Sequence, residues 1–256
     1  MDTKKRSSIQ EKKKKLIVPA GLLAAAGAYY YWCWFPHRTA PRKDRRRVLC
    51  IGDSITFGAG VKLTRWRDSY PSILNSLLGD GYQVLNYGVS GATAQDEGDM
   101  PYPSAFRSAA AKTEPELCLF MLGTNDSKPY NWDAQRYETA VEAWMEEIRN
   151  YPSRPRIVLM IPPAAFPVDG EPVAFDILDE VIRNEIRPIL MKIAEKEGLE
   201  LIDLYEISED HPEWFGDGVH PNAEGDRVFA EFIYDRINKT GEDHENAAGC
   251  VDEHGA

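Results

Sequence analysis

The stretch that decides the fold reads Val48-Leu49-Cys50-Ile51-Gly52-Asp53-Ser54-Ile55-Thr56. It begins with an uninterrupted apolar run and then changes to small and polar residues, which is typical of a buried strand that ends in a loop. We predict this first strand over residues 47–51. Four more short apolar runs predict further strands at residues 83–86, 117–122, 157–161 and 199–204.

Helical signals lie between the apolar runs. Apolar residues recur every three or four positions at Tyr137, Ala140, Val141, Trp144, Met145 and Ile148, which predicts an amphipathic helix and places Trp144 in the core. A second helix is expected over residues 175–196, interrupted at Pro188, and a last one over 223–237. Strands that alternate with helices predict one doubly wound α/β domain at 47–238, with a five-stranded parallel sheet covered on both faces.

Polar motifs follow the carboxyl ends of the predicted strands, which is where ligands bind in such sheets. They are the blocks 52–56, 86–91, 123–126 and 217–221, the last of which precedes the final helix. Taken singly, each block could be an ordinary turn or a helix cap. Together they bring a serine, an imidazole, a carboxylate and amide donors to one edge, which are the groups that acyl transfer requires.

The roles within this set follow from the chemistry. A serine hydroxyl is a weak nucleophile until a base takes its proton, so Ser54 needs a histidine. Of the five histidines, His37 adjoins an apolar segment and two lie in the polar tail, which leaves His211 and His220. Asp217, three residues before His220, can bind Nδ1 of that ring and direct Nε2 towards the serine. His211 has no comparable motif and is expected to be a structural or surface residue.

The oxyanion of acyl transfer needs hydrogen-bond donors. Candidates are the backbone N–H groups of Ser54 and Gly91 and the side-chain amide of Asn125. The sequence has no spaced His or Cys ligands for a metal, no Gly-rich phosphate loop and no Gly-x-Ser-x-Gly elbow. We therefore expect neither a metal nor a cofactor.

These blocks resemble the SGNH (GDSL-type) hydrolase family, which is named for its Ser, Gly, Asn and His. The matching positions are Ser54 as nucleophile, Gly91 and Asn125 as oxyanion donors, and Asp217 with His220. The blocks occur in family order over residues 47–238. The resemblance implies a flavodoxin-like three-layer α/β/α domain that hydrolyses esters or thioesters without a cofactor.

The charge of the chain divides it into two parts. The formal net charge is −11, but residues 1–47 hold 13 Lys and Arg against 3 Asp and Glu, so the remainder is strongly acidic. An acidic body excludes non-specific nucleic-acid binding. The basic part encloses 20 uncharged residues at 16–35, long enough for a single-pass transmembrane anchor with aromatic residues at one end. We assign a basic tail to 1–15, a basic linker to 36–46 and an acidic disordered tail to 239–256.

Two features of this segment stay open. A cleaved signal peptide or a buried helix is the alternative to an anchor. Lys and Arg flank the segment almost equally, with seven before it and six after it, so they do not set the orientation. Because short basic N-terminal tails usually remain cytosolic, we expect a membrane protein with its catalytic domain in a lumen or outside the cell.

The substrate is expected to be a small ester. The domain lacks a large lid insertion, which favours short-chain or O-acetyl esters such as acetylated carbohydrates; a lysophospholipase or an acyl thioesterase is the alternative. A non-catalytic glycan- or lipid-binding module is an alternative of another class. Aromatic residues that could line a pocket, or simply pack, are Trp66, Tyr130, Trp132, Phe166, Trp214 and Phe215. The sequence predicts no oligomeric state.

Overall fold

A computed structural model describes residues 40–238 with their side chains, the backbone of the last helix as far as Gly249, and the isolated positions 27, 28 and 31. The predicted anchor at 16–35 and tail at 1–15 lie almost entirely outside these residues and remain predictions. Within the described part of the chain, no helix combines the length and the apolar character that crossing a membrane requires.

Five parallel strands form one sheet in the order β2-β1-β3-β4-β5. Their bounds are β1 Arg46–Gly52, β2 Tyr82–Gly88, β3 Leu117–Met121, β4 Arg156–Ile161 and β5 Glu200–Asp203. The predicted five-stranded parallel α/β sheet is confirmed, with strand ends displaced by one or two residues. This order is the flavodoxin-like doubly wound arrangement.

Nine α-helical segments connect and cover the strands within the described residues. They are α1 Ser54–Phe57, α2 Arg65–Asp68, α3 Tyr70–Leu78, α4 Ser104–Ala111, α5 Ala134–Arg149, α6 Asp179–Val181, α7 Arg187–Glu197, α8 Leu204–Ser208 and α9 Ala223–Gly249. Among them, α3 and α4 were not predicted from the sequence. They form because each places a few small or apolar residues, such as Leu74 and Ala110, against the sheet.

Two apolar cores cover the two faces of the sheet. Because side chains alternate along a strand, Leu49 and Ile51 face one core while Val48 and Cys50 face the other. The first core is completed from α5 and α7 by Val141, Trp144, Met145, Leu190 and Ile193. The second is completed from α3 and α9 by Tyr70, Leu74, Phe229 and Ile233. The described domain therefore has three α/β/α layers.

The helix predicted over residues 175–196 begins later than expected. Phe175 and Asp176 have positive φ angles of 61° and 59°, which a helix cannot contain, and α6 starts only at Asp179. The α-helix is interrupted near Pro188, in the turn that precedes the proline. Proline lacks an N–H and its ring clashes with the preceding turn, and the chain accommodates it with a wider π-helical turn at Ile182–Ile186.

The last helix is longer than predicted. The backbone of α9 continues from Ala223 to Gly249, so the tail assigned as disordered at 239–256 begins inside a helix. No proline occurs in residues 223–249 to stop it. Near its start, the buried carboxylate of Asp226 accepts the Tyr70 backbone N–H at 2.9 Å, which fixes α9 against α3.

Trp144 joins α5 to the first core through several contacts. Its ring is fully buried, with the Tyr102 and Phe120 rings each 5.3 Å away between centroids. Its indole N–H donates to the Ala94 carbonyl at 3.1 Å. The side chain therefore connects the helix, the central strand β3 and the loop after β2.

We expect Trp144→Ala to lower the free energy of unfolding by about 3–5 kcal/mol, because it leaves a large cavity and an unpaired carbonyl. Urea denaturation measures this loss. Met191→Ala, which truncates a side chain that is 48% exposed on α7, is the control and should change stability by no more than about 0.5 kcal/mol. A loss below about 1 kcal/mol at Trp144 would contradict the packing described.

Candidate active site

Ser54 lies at the first position of α1, directly after β1. Asp53 is the N-cap of this short helix, and its carboxylate accepts the Ile55 N–H at 2.9 Å. The strand and the cap restrict the backbone at Ser54, so its hydroxyl is held at the sheet edge. Ser54 is only 8% exposed. The turn therefore presents a fixed hydroxyl in a partly enclosed position.

His220 and Asp217 lie in the loop before α9 and reach Ser54. The Ser54 Oγ lies 2.8 Å from His220 Nε2, and Nδ1 of the same ring lies 2.7 Å from Asp217 Oδ2. The other Asp217 oxygen accepts the N–H groups of Val219 and His220 at 3.1 and 2.8 Å. The loop packs so closely on Gly60 that a Cβ there would collide with the Pro221 carbonyl. A serine, an imidazole and a carboxylate thus form a continuous hydrogen-bonded chain.

The Asp217 carboxylate is strongly favoured in its ionised form. Partial burial alone would raise its pKa, but the hydrogen bonds from the His220 ring and backbone and from the Val219 N–H outweigh burial and lower the pKa to about 2. A carboxylate that stays ionised can hold the Nδ1 proton and stabilise a positive charge on the imidazole ring.

Gly91 and Asn125 lie on the opposite side of the serine, in the loops after β2 and β3. Gly91 has a φ of +83°, and a Cβ at this position would meet Met100 Sδ at 2.8 Å, so the turn requires glycine. The Asn125 amide donates one hydrogen bond to the Ala92 carbonyl at 3.2 Å. An amide carries two donor hydrogens, so this bond orients the group without using both.

Asp126 ties these two loops together. Its buried carboxylate accepts the backbone N–H groups of Ala94 and Gln95 at 3.0 and 3.1 Å. The Gln95 side-chain amide donates to the same carboxylate at 3.2 Å. Because Asp126 follows Asn125 directly, the carboxylate holds the Gly91 loop at a fixed place beside the Asn125 amide.

These groups surround a small cavity with a volume of about 240 Å³. Its lining residues are Ser54, Ala59, Lys62, Ser90, Gly91, Thr124, Asn125, Lys128, Phe175, Ile177, Asp217, Val219 and His220. All five residues predicted as site residues are among them. Within the described residues, no group of three or more His, Cys, Asp or Glu side chains lies close enough together to hold a metal ion.

Comparison with known families identifies the chain. The sequence model of the GDSL-like Lipase/Acylhydrolase family matches residues 50–228, which is most of the described domain. The chain belongs to this family. The resemblance drawn from the four sequence blocks is thereby confirmed for this GDSL-family protein.

Known relatives include carbohydrate and aryl esterases. Over 221 residues the chain is 37% identical to an acetylxylan esterase from Xylanibacter ruminicola, covering 78% of this chain and 45% of that protein. The chain thus spans about half the length of this curated relative. A carbohydrate acetylesterase from Sinorhizobium meliloti has a similar structure (TM-score 0.63, 22% identity, 77% of this chain and 100% of that one). An aryl esterase from M. smegmatis is also similar (TM-score 0.64, 19% identity, 76% and 99%).

His211 lies where the sequence placed it, outside the site of this GDSL-family domain. Its ring stacks on Trp214 at 3.9 Å between centroids, and its Nδ1 pairs with Glu213 at 2.8 Å. His211 is not among the residues that line the cavity described here. The expectation that it is structural agrees with this position.

The aromatic lining differs from the six candidates in the sequence. None of those six residues lines the described cavity; Phe166 and Phe215, for example, pack on each other. The aromatic residue that does line it is Phe175, and Lys62 and Lys128 were also missed. The available signal was topological, because Phe175 belongs to the long Pro- and Gly-containing loop that follows the carboxyl end of β4.

Asp53 gives a test of how tightly the nucleophile turn is buried. Burial raises the pKa of its carboxyl to about 6, opposed by the hydrogen bond from the Ile55 N–H. The folded state therefore binds this proton more tightly than the unfolded chain. Between about pH 4 and pH 6, the contribution of this carboxyl to wild-type stability falls as the pH rises, because the unfolded state loses its proton first.

Asp53→Asn keeps a capping oxygen but cannot titrate. We expect its stability relative to wild type to rise by about 2 kcal/mol between pH 4.5 and pH 7.5, as measured by urea unfolding at both pH values. Asp133→Asn, which changes the N-cap of α5, controls for replacing a capping carboxylate by an amide. A stability difference at Asp53 that does not change with pH would show that the carboxyl is not buried in this way.

Proposed function

We propose that this GDSL-family hydrolase cleaves short-chain or O-acetyl esters, such as acetylated carbohydrates, by nucleophilic catalysis at Ser54. The observation that carries the proposal is the hydrogen-bonded chain from Ser54 Oγ through His220 to Asp217, with contacts of 2.8 and 2.7 Å. These three hydrogen-bonded residues line the same cavity as Gly91 and Asn125.

The first half of the reaction transfers the acyl group to the enzyme. Ser54 Oγ attacks the ester carbonyl carbon while His220 Nε2 takes the hydroxyl proton, and Asp217 stabilises the resulting imidazolium. The carbonyl oxygen becomes an oxyanion, and its donors are the Ser54 and Gly91 N–H groups and the second Asn125 amide hydrogen. The C–O bond to the alcohol then breaks, and Nε2 returns the proton to the leaving oxygen.

The second half returns the enzyme to its starting state. A water molecule gives a proton to His220 Nε2 and attacks the carbonyl carbon of the acyl-Ser54 ester. The same donors hold the new oxyanion. Its collapse breaks the bond to Ser54 Oγ, which recovers a proton from Nε2, and the carboxylic acid leaves.

Two observations support a short acyl group on a polar alcohol. The cavity of about 240 Å³ is below the ~300–1,000 Å³ of typical ligand pockets, so it suits an acetyl group better than a long chain. Its lining includes Lys62 and Lys128, and each ammonium group carries three donor hydrogens, one of which Lys128 uses on Asp99 at 3.2 Å. The acetylxylan esterase relative supports the same substrate class.

The ester preference tests the proposal. We expect kcat/KM for acetylated xylo-oligosaccharides to exceed that for p-nitrophenyl palmitate, lysophosphatidylcholine and acyl thioesters by at least about 100-fold. Ser54→Ala and His220→Ala should each lower kcat by at least about 10³-fold, and Asn125→Ala by about 10²–10³-fold.

His211→Ala is the matched control, since it removes an imidazole outside the cavity, and it should retain near wild-type rates. A preference for long-chain lipids would favour the lysophospholipase alternative. Equal losses in His211→Ala and His220→Ala would contradict the assignment of the base.

A further inference from the structure

The backbone that carries Phe175 is strained. Phe175 has φ 61° and ψ 24°, and Asp176 follows with φ 59°. Bulky side chains rarely occupy this left-handed region, and here two consecutive residues other than glycine do so. Such conformations persist only where the surroundings hold them, and they cluster at active sites and ligand clamps. Neighbouring contacts must therefore stabilise this turn. The strain also points to a functional role for the Phe175 side chain.

The neighbouring contacts fix this turn to the Asn125 loop. The Leu178 N–H donates to Ser127 Oγ at 3.2 Å, and that hydroxyl donates in turn to the Thr124 carbonyl at 2.7 Å. The Tyr130 hydroxyl lies 3.4 Å from a carboxylate oxygen of Asp176. The turn is thus attached, through two residues that closely follow Phe175, to the segment after β3.

The strained turn places the Phe175 ring over the site. The ring is 56% exposed, although it is apolar and lines the cavity. It also meets the His220 imidazole at 5.3 Å between centroids and an angle of 65°. One part of the ring contacts the imidazole, and the remainder is an open apolar surface beside it.

The reaction geometry identifies which part of a substrate would meet that surface. The leaving alcohol oxygen receives its proton from His220 Nε2, so the alcohol part of the ester lies next to the imidazole. The oxyanion donors Gly91 and Asn125 bind the carbonyl oxygen instead. A ring attached to the leaving oxygen therefore comes against Phe175.

We propose that Phe175 is a specificity-determining residue that binds the ring of the alcohol part of the ester, which is a pyranose in the substrate proposed above. A pyranose ring presents an apolar C–H face that can lie on an aromatic ring, while its hydroxyls face the side of the cavity that Lys62 lines. The assignment of this ring as a pyranose rests on the proposed function. The contact between Phe175 and a ring on the leaving oxygen does not.

The test compares three acetate esters on the full chain: an acetylated xylo-oligosaccharide, cyclohexyl acetate and vinyl acetate, which has no ring. Phe175→Ala should lower kcat/KM for both ring-bearing esters about 10-fold, mainly through KM, which corresponds to about 1.4 kcal/mol. The value for vinyl acetate should stay within about twofold of wild type. Phe175→Tyr should restore the ring-bearing esters, and Met191→Ala should change none of the three.

Phe175→Gly removes the ring and relieves the positive φ, so it should show the same selective loss with no loss of thermal stability. An equal fall in kcat for all three esters would mean that the ring positions His220 instead, and would overturn the inference, as would no change at all. A wild type that hydrolyses cyclohexyl acetate but not the acetylated sugar would contradict the proposed function alone. The cyclohexyl and vinyl esters would then still decide the role of Phe175.

Discussion

The register of β1 between its two neighbours is the constraint on which the site depends. Gly52, the last residue of β1, pairs with Gly88 of β2 on one side and with Met121 of β3 on the other. Three strands therefore end at one level, and the loops that follow them begin within a few ångströms of each other. Ser54, Gly91 and Asn125 each follow one of these ends, so parallel pairing alone brings residues that are far apart in sequence to a common edge.

Buried polar contacts convert this common edge into a fixed arrangement. The Asp126 carboxylate joins the loops after β2 and β3, and the Asp53 carboxylate caps the turn that carries Ser54. Burial raises the pKa of both carboxyls to about 6, even though each accepts backbone N–H groups. Positioning these loops therefore has a cost in stability near neutral pH, as is common where a site must be preorganised.

The sequence was sufficient to predict the sheet, the family and the meeting of the five candidate residues at one cavity, because each signal is local. A buried parallel strand is a short apolar run, and each site residue directly follows such a run or precedes the last helix. Phe175 escaped prediction because its position depends on two positive φ angles and on contacts with residues 127 and 130, none of which has a sequence period. For the six aromatic candidates the sequence left lining and simple packing open, and none lines the cavity: Phe166 packs on Phe215, while Trp66 and Tyr130 are exposed outside it.

Covalent labelling tests whether Ser54 is a nucleophile that His220 activates. A fluorophosphonate probe should add one phosphonyl group to the folded wild-type protein, located by peptide mass spectrometry at Ser54. Ser54→Ala should remain unlabelled, His220→Ala should react far more slowly, and His211→Ala should react like wild type. A folded wild type that takes up no label, as expected for a glycan- or lipid-binding module, or that is labelled at another residue, would contradict the account.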